Sequence, residues 1–145
     1  MKSRILIVDD ESEIRDLLHR HFRYLGYDVD TANGGEDALA MLAQTRTDIV
    51  VSDINMPGMD GVALLEAVRQ DYPMIRVVMM TGYVSQENIL ACMRKGAETC
   101  IFKPLEDLEI LERAVFNAEK VTKHWWRILS ELRSAKPDVE AVNQA

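Results

Sequence analysis

Cysteine is scarce in this chain: Cys92 and Cys100 are the two present, and they lack CxxC spacing. Cys100 falls inside an apolar strand run, so both read as buried thiols of a reducing compartment rather than a disulfide framework. Long apolar runs are lacking too, since none approaches the roughly 20 residues that a membrane helix needs. The first strand begins within about four residues of Met1, which leaves no room for a secretory signal. The expectation is a cytoplasmic protein with no membrane segment. Basic charge is also short, with 17 Lys and Arg against 24 Asp and Glu and a formal net charge of −7. Gripping nucleic acid needs clustered Lys and Arg, so direct nucleic-acid binding by this chain is not expected. One stretch departs from the acidic average. From Glu119 to Lys136, five basic residues (Lys120, Lys123, Arg127, Arg133, Lys136) face two Glu, giving +3 there and −10 elsewhere. That tail reads as a solvated helix. The composition is 48% hydrophobic and 28% charged over 145 residues, which suits one domain with a real core.

Strand and helix patterns alternate along the chain, the mark of βαβ units and a parallel sheet. Four near-continuous apolar runs end at residues able to handle phosphate or metal. Arg4 to Val8 ends at Asp9-Asp10, and Asp48 to Ser52 ends at Asp53. Arg76 to Met80 ends at Thr81-Gly82, and Thr99 to Phe102 ends at Lys103-Pro104. A short additional strand is expected around Asp28 to Thr31. Between them, Ile14, Leu17, Leu18, Phe22 and Leu25 share one helical face of a segment starting at Ser12, and Gly26 stops it. Asn33, with Glu36 three residues later, predicts a capped helix through Ala43. A turn-rich loop from Asn55 to Gly61 precedes a third helix to about Gln70, and Ser85 predicts the cap of a fourth that ends near Gly96. Five strands and five helices with right-handed crossovers fit a flavodoxin-like, doubly wound five-stranded parallel sheet in the order 2-1-3-4-5.

That order sets the four chemically distinctive strand ends side by side, and ligands of open α/β sheets bind beyond the carboxyl ends of the strands. Crowded carboxylates repel and call for a cation or a proton between them. Mg²⁺ suits such a site, being a hard ion held by one or two carboxylates, water and a phosphate. With the ion present, a carboxylate can attack phosphorus. Asp53, at the end of the central strand, is the expected nucleophile, and Asp9 and Asp10 the expected metal holders. Lys103 would neutralise phosphoryl oxygens, Thr81 would donate to one of them, and Gly82 would leave the backbone free to approach. Taken singly each has an ordinary structural role; together, in order and each at a strand end, they specify a phosphoryl site.

The motifs Val8-Asp9-Asp10-Glu11, Ser52 through Gly61, Met80-Thr81-Gly82 and Phe102-Lys103-Pro104 resemble those of bacterial two-component response regulator receiver domains, CheY-like proteins. The resemblance covers residues 1–119 and implies a receiver domain there, followed by a helical extension over 120–145. It implies that Asp53 accepts a phosphoryl group from a phosphohistidine of a sensor histidine kinase, with Mg²⁺ required. It further implies direct metal contacts from Asp10, Asp53 and the Asn55 carbonyl, with Asp9 acting through water. Thr81 and Lys103 would contact the phosphoryl group, the Lys103-Pro104 peptide would be cis, and phosphorylation would alter partner binding through the face made by the fourth helix, fifth strand and fifth helix. Receivers usually carry Tyr or Phe three residues before the lysine; this chain has Cys100, so an aromatic rotamer switch is not expected there. Tyr83 lies where relatives tune water access, and slower hydrolysis than in Tyr83→Ala is expected.

The rival reading is a Mg²⁺-dependent phosphatase resembling the haloacid-dehalogenase type, in which a second Asp two residues on serves as general acid. Asn55 stands there and cannot donate a proton that way. A scaffold that never takes phosphate is the third reading, and the intact acidic set argues against it. His19 and His21, two apart on a helix, point different ways and make poor metal ligands. In the last helix, Leu108, Leu111, Val115, Ala118, Thr122, Trp125, Leu129 and Leu132 follow heptad spacing. Its first half must pack on its own sheet, so Val121 to Leu132 would project and fold back or pair with a second chain, and the chain beyond Pro137 would fray. A downstream protein or output domain and a homodimer through this helix are the remaining partner expectations.

Overall fold

A computed structural model describes residues 2–82 and 85–135. The chain alternates as the sequence pattern requires: β1 (Arg4–Val8), α1 (Ser12–Tyr24), β2 (Asp28–Ala32), α2 (Gly35–Leu42) and β3 (Ile49–Asp53) come first. Then follow α3 (Gly61–Asp71), β4 (Arg76–Thr81), α4 (Gln86–Arg94), β5 (Thr99–Phe102) and α5 (Leu108–Ser134). All strand pairs are parallel and the sheet order is β2-β1-β3-β4-β5. The flavodoxin-like arrangement expected from the sequence is therefore present. Tyr83 and the residues beyond Pro137, on which two expectations rest, lie outside the described residues.

The apolar runs are continuous because both faces of the sheet are covered. Alternate residues of each central strand go to opposite layers. Leu6, Val8, Val50, Val77 and Met79 pack against α2, α3 and α4, where Leu42, Leu64, Leu65, Val68 and Cys92 close the layer. Ile5, Ile7, Ile49, Val51, Val78 and Met80 face Leu18 and Phe22 of α1 and Leu111, Val115 and Ala118 of α5. Register aligns Val8 with Ser52, Asp53 with Met80, and Thr81 with Phe102. Hence Asp9, Asp53, Thr81 and Lys103 emerge along one edge of the sheet.

Of the two helix caps expected from the sequence, one forms. Ser85 Oγ accepts the Asn88 N–H at the head of α4 and Asp60 Oδ1 accepts the Ala63 N–H at the head of α3. The predicted Asn33 cap of α2 is not formed. Gly34 occupies the cap position with no side-chain hydrogen bond, and the Asp37 carboxylate reaches back instead to the Asn33 N–H at 3.3 Å. Because β2 extends through Ala32, the helix begins one residue later than an Asn33 cap would place it. Gly26, Gly58 and Gly96 adopt positive φ after α1, in the β3–α3 loop and after α4, where side-chain-bearing residues are disfavoured.

Candidate functional site at the carboxyl edge of the sheet

Asp9 and Asp53 are 0% and 4% exposed, and Thr81 is 0% exposed. Buried carboxylates at this depth demand partners. Lys103 Nζ supplies them, at 2.7 Å from Asp9 Oδ2, 3.3 Å from Asp53 Oδ2 and 3.4 Å from Glu11 Oε1. Asp9 also accepts the Glu11 N–H at 2.9 Å, which turns the chain out of β1 and into α1. Asp10, next to Asp9, and Asn55, beyond β3, are exposed at the rim of the crevice. Carboxylate oxygens of Asp9, Asp10, Glu11 and Asp53 all lie within 4.8 Å of one another.

The backbone fixes these positions. The Lys103 N–H donates to Thr81 O at 2.8 Å, so the lysine leaves β5 beside the threonine. The Lys103-Pro104 peptide is cis, as expected. The Ile54 N–H donates to Met80 O at 2.9 Å, and the Gly61 N–H to Ile54 O at 2.7 Å, tying the start of α3 against the end of β3. A Cβ on Gly61 would lie 2.1 Å from the Asp53 carbonyl oxygen, so only glycine fits this approach. The sequence reading used this glycine as a motif residue only and missed the reason for it.

Charge and burial compete at Asp53. Burial raises its carboxyl above the ordinary value and the Asp9 charge adds to this, while Lys103 and the Asn55 backbone N–H pull it down without cancelling the rise. Burial depresses the Lys103 ammonium, but the hydrogen bond and charge of Asp9, then Asp53, outweigh it and the net shift is upward. Lys103 therefore stays cationic through the neutral range. Four carboxylates against one ammonium leave an excess of negative charge with oxygen donors pointing inward. That donor set fits a hard divalent cation such as Mg²⁺.

The structure brings together Asp9, Asp10, Asp53, Thr81 and Lys103, the residues singled out by strand-end chemistry, and sets Asn55 next to Asp53. It adds Glu11, to which the sequence reading gave no role although it follows directly on the acidic pair. It keeps His19 and His21 away from this edge. His21 Nε2 instead meets a Glu112 carboxylate oxygen between α1 and α5. Cys92 is buried, and Cys100, expected to be buried, is partly buried against the same core on the edge strand β5. Burial, then the neighbouring Cys92, pushes the Cys100 thiol up to about 11, so it is not a nucleophile at neutral pH.

The fold and this site define a class, the receiver modules of two-component signalling. The chain belongs to the response regulator receiver domain family, whose description matches residues 5–115. It is similar to the DNA-binding transcriptional regulator NtrC of Salmonella typhimurium, 35% identical over 121 residues, covering 83% of this chain and 25% of that protein. Similarity to the sensor histidine kinase RcsC of Escherichia coli is 39% over 119 residues, 82% of this chain but 12% of the kinase. This chain thus spans a quarter or less of these two relatives. Among solved structures, a CheY-like receiver domain protein from Methanospirillum hungatei aligns with TM-score 0.79 and 31% identity, covering 86% of this chain and 99% of that one. The response regulator TrrA of Thermotoga maritima, solved in complex with Mg²⁺-BeF, aligns with TM-score 0.73 and 32% identity over 81% of this chain and 99% of its own. Among the described residues, no helix is long and apolar enough to cross a membrane.

Proposed function

We propose that this protein is a phosphorylation-dependent signalling switch in which Asp53 takes a phosphoryl group from a phosphohistidine of a sensor histidine kinase. The observation that carries this reading is the buried Asp53 carboxylate, held 3.3 Å from Lys103 Nζ within an acidic cluster of four. An Asp53 oxygen attacks phosphorus, the phosphorus–nitrogen bond to the donor histidine breaks, and the electron pair leaves with the imidazole. Lys103 faces the oxygens of the transferred group, and Thr81, at the end of β4, donates to one of them. Asp10, Asp53 and the Asn55 carbonyl would hold Mg²⁺, with Asp9 acting through water; the ion would neutralise charge on the phosphoryl oxygens. The protein then catalyses only its own phosphorylation and dephosphorylation, and Asn55 in place of a second Asp weighs against a phosphatase.

Phosphorylation replaces the single charge of the Asp53 carboxylate with close to two on the acyl phosphate, beside the three remaining carboxylates and one ammonium, which biases a two-state surface. We assign partner binding to the α4–β5–α5 face, where Leu90, Met93, Phe102 and Ile110 are exposed. A cavity of about 310 Å³ lies in this face between Cys92, Met93, Cys100 and Phe102, at the position where relatives carry an aromatic ring. Signalling through this face therefore proceeds without that ring. Residues 1–119 would form the receiver and 120–145 a helical extension, with a downstream protein or output domain as target. A cytoplasmic setting follows from the kinase donor and fits the two free thiols.

Incubation with acetyl phosphate and Mg²⁺, followed by intact mass measurement, tests the reading. The wild type gains the mass of one phosphoryl group and Asp53→Asn gains none. No gain in the wild type, or an equal gain in the variant, overturns it.

A further inference from the structure

Three of the four clustered carboxylates have a part in the proposed phosphoryl chemistry, and Glu11 does not. Glu11 occupies the N-cap position of α1, yet its side chain makes no capping hydrogen bond. Glutamate is not among the residues that cap well there. Its backbone N–H is instead held by Asp9 Oδ1 at 2.9 Å, and its carboxylate is left over the crevice. There Glu11 Oε1 lies 3.4 Å from Lys103 Nζ. The Lys103 and Asp9 side chains are 10% and 0% exposed, whereas that of Glu11 is 61% exposed. Lys103 also approaches Asp9 and Asp53, at 2.7 Å and 3.3 Å, so Glu11 is its longest and most exposed carboxylate contact. Glu11 stands at the mouth and the groups it faces lie behind it.

Charge then separates Glu11 from its neighbours. Four carboxylates share this crevice with the Lys103 ammonium. A bound divalent cation and that ammonium would balance three of them. Asp10 and Asp53 would be committed to the ion and Asp9 to Lys103, so the charge left over is that of Glu11. A cleft with one sign of charge at its mouth sets the rate at which charged reactants enter, and the effect grows with the charge of the reactant.

We propose that Glu11 is a specificity-determining residue that selects phosphoryl donors by charge, holding back small dianionic donors. The inference rests on the reading of Asp53 as the phosphoryl acceptor. Acetyl phosphate is a dianion at neutral pH, with both charges on its phosphoryl group. Phosphoramidate carries an ammonium on the same phosphorus and is a monoanion, and its phosphorus–nitrogen bond is of the kind a phosphohistidine offers. In either reaction an Asp53 oxygen bonds to phosphorus. The phosphorus–oxygen bond to acetate, or the phosphorus–nitrogen bond to ammonia, breaks with its electron pair leaving on that group. Glu11 takes no part in this exchange. It repels the entering donor and competes with the phosphoryl oxygens for Lys103, and both effects are weaker for a monoanion.

Rates of phosphorylation by each donor at saturating Mg²⁺, read by intact mass, test this with wild type, Glu11→Gln and Glu11→Asp. Glu11→Gln should raise the second-order rate constant with acetyl phosphate about threefold, and that with phosphoramidate less than about twofold. Glu11→Asp keeps the charge and should match the wild type with both donors. The rise of the thermal midpoint on Mg²⁺ titration should persist in Glu11→Gln. Equal acceleration with both donors, a slower Glu11→Gln, or a Glu11→Asp as fast as Glu11→Gln overturns the proposal. Loss of the Mg²⁺ rise in Glu11→Gln also overturns it, by making Glu11 a metal holder. A wild type that is labelled while Glu11→Gln shows no change removes this inference alone. A wild type that takes phosphate from neither donor removes the acceptor reading and this inference with it.

Discussion

Gly61 shows how tightly single residues are held at the carboxyl edge of the sheet. Its missing Cβ lets α3 start against the carbonyl of Asp53, an approach that any side chain would fill with a 2.1 Å clash against backbone. Because the obstacle is main chain, no rotamer change relieves it, and β3 or α3 must shift. Gly61→Ala is expected to cost about 3 kcal/mol or more in urea unfolding, at the upper end of overpacking penalties. Phosphorylation by acetyl phosphate should fall with it, since the displaced group is the backbone of the proposed acceptor residue itself. At this scale the sequence disclosed Asp9, Asp10, Asp53, Thr81 and Lys103 through their positions at strand ends. It did not disclose that Lys103 bridges Asp9, Asp53 and Glu11, because residues about 50 and 90 positions apart meet only once the sheet order is realised.

Among elements, α5 is the piece that links the two ends of the molecule. Its Glu119 is 4% exposed and accepts the Ser3 N–H at 2.9 Å, which fastens the helix to the start of β1. Tyr27, just before β2, lies against the same carboxylate. Burial, then the charges of Glu119 and Glu112 and the hydrogen bond to Glu119, push its phenol up to about 12. A group whose pKa in the fold exceeds its unfolded value contributes stability that is full below the unfolded value and is lost as pH rises through the folded one. Unfolding free energy should accordingly fall between about pH 10 and pH 12, by on the order of 2 kcal/mol. Tyr27→Phe should flatten that fall, and the phenolate absorbance of the wild type should show one tyrosine ionising near pH 12 that the variant lacks. An equally steep fall in the variant would remove Tyr27 as the cause. The heptad pattern of α5 was legible in sequence, yet the same spacing covers two environments. Its first half is buried on the sheet and its second half is exposed, a division set by where the sheet ends. The α2 cap failed as a local reading for a related reason: β2 held Ala32 in the sheet and moved the helix start past Asn33.

For the whole molecule, a cation bound only by the folded crevice must stabilise the fold by mass action. Mg²⁺ at ten times its dissociation constant is expected to add about 1.4 kcal/mol, read as a rising thermal midpoint on titration. Asp10→Asn, at an exposed position, should leave the metal-free midpoint nearly unchanged and abolish the rise; an equal rise in the variant would remove Asp10 from the ion's ligands. The amino-acid sequence by itself determined the parallel sheet, its order and the acidic, hydroxyl and ammonium groups at its carboxyl edge. Alternating apolar runs and helical periods leave few right-handed arrangements, and strand ends cannot change edges. Only the tertiary structure decided the shared bridging by Lys103, the glycine-only contact at Gly61 and the buried anchor of Glu119. Each of these depends on distances between chain segments remote in sequence, which local pattern does not encode.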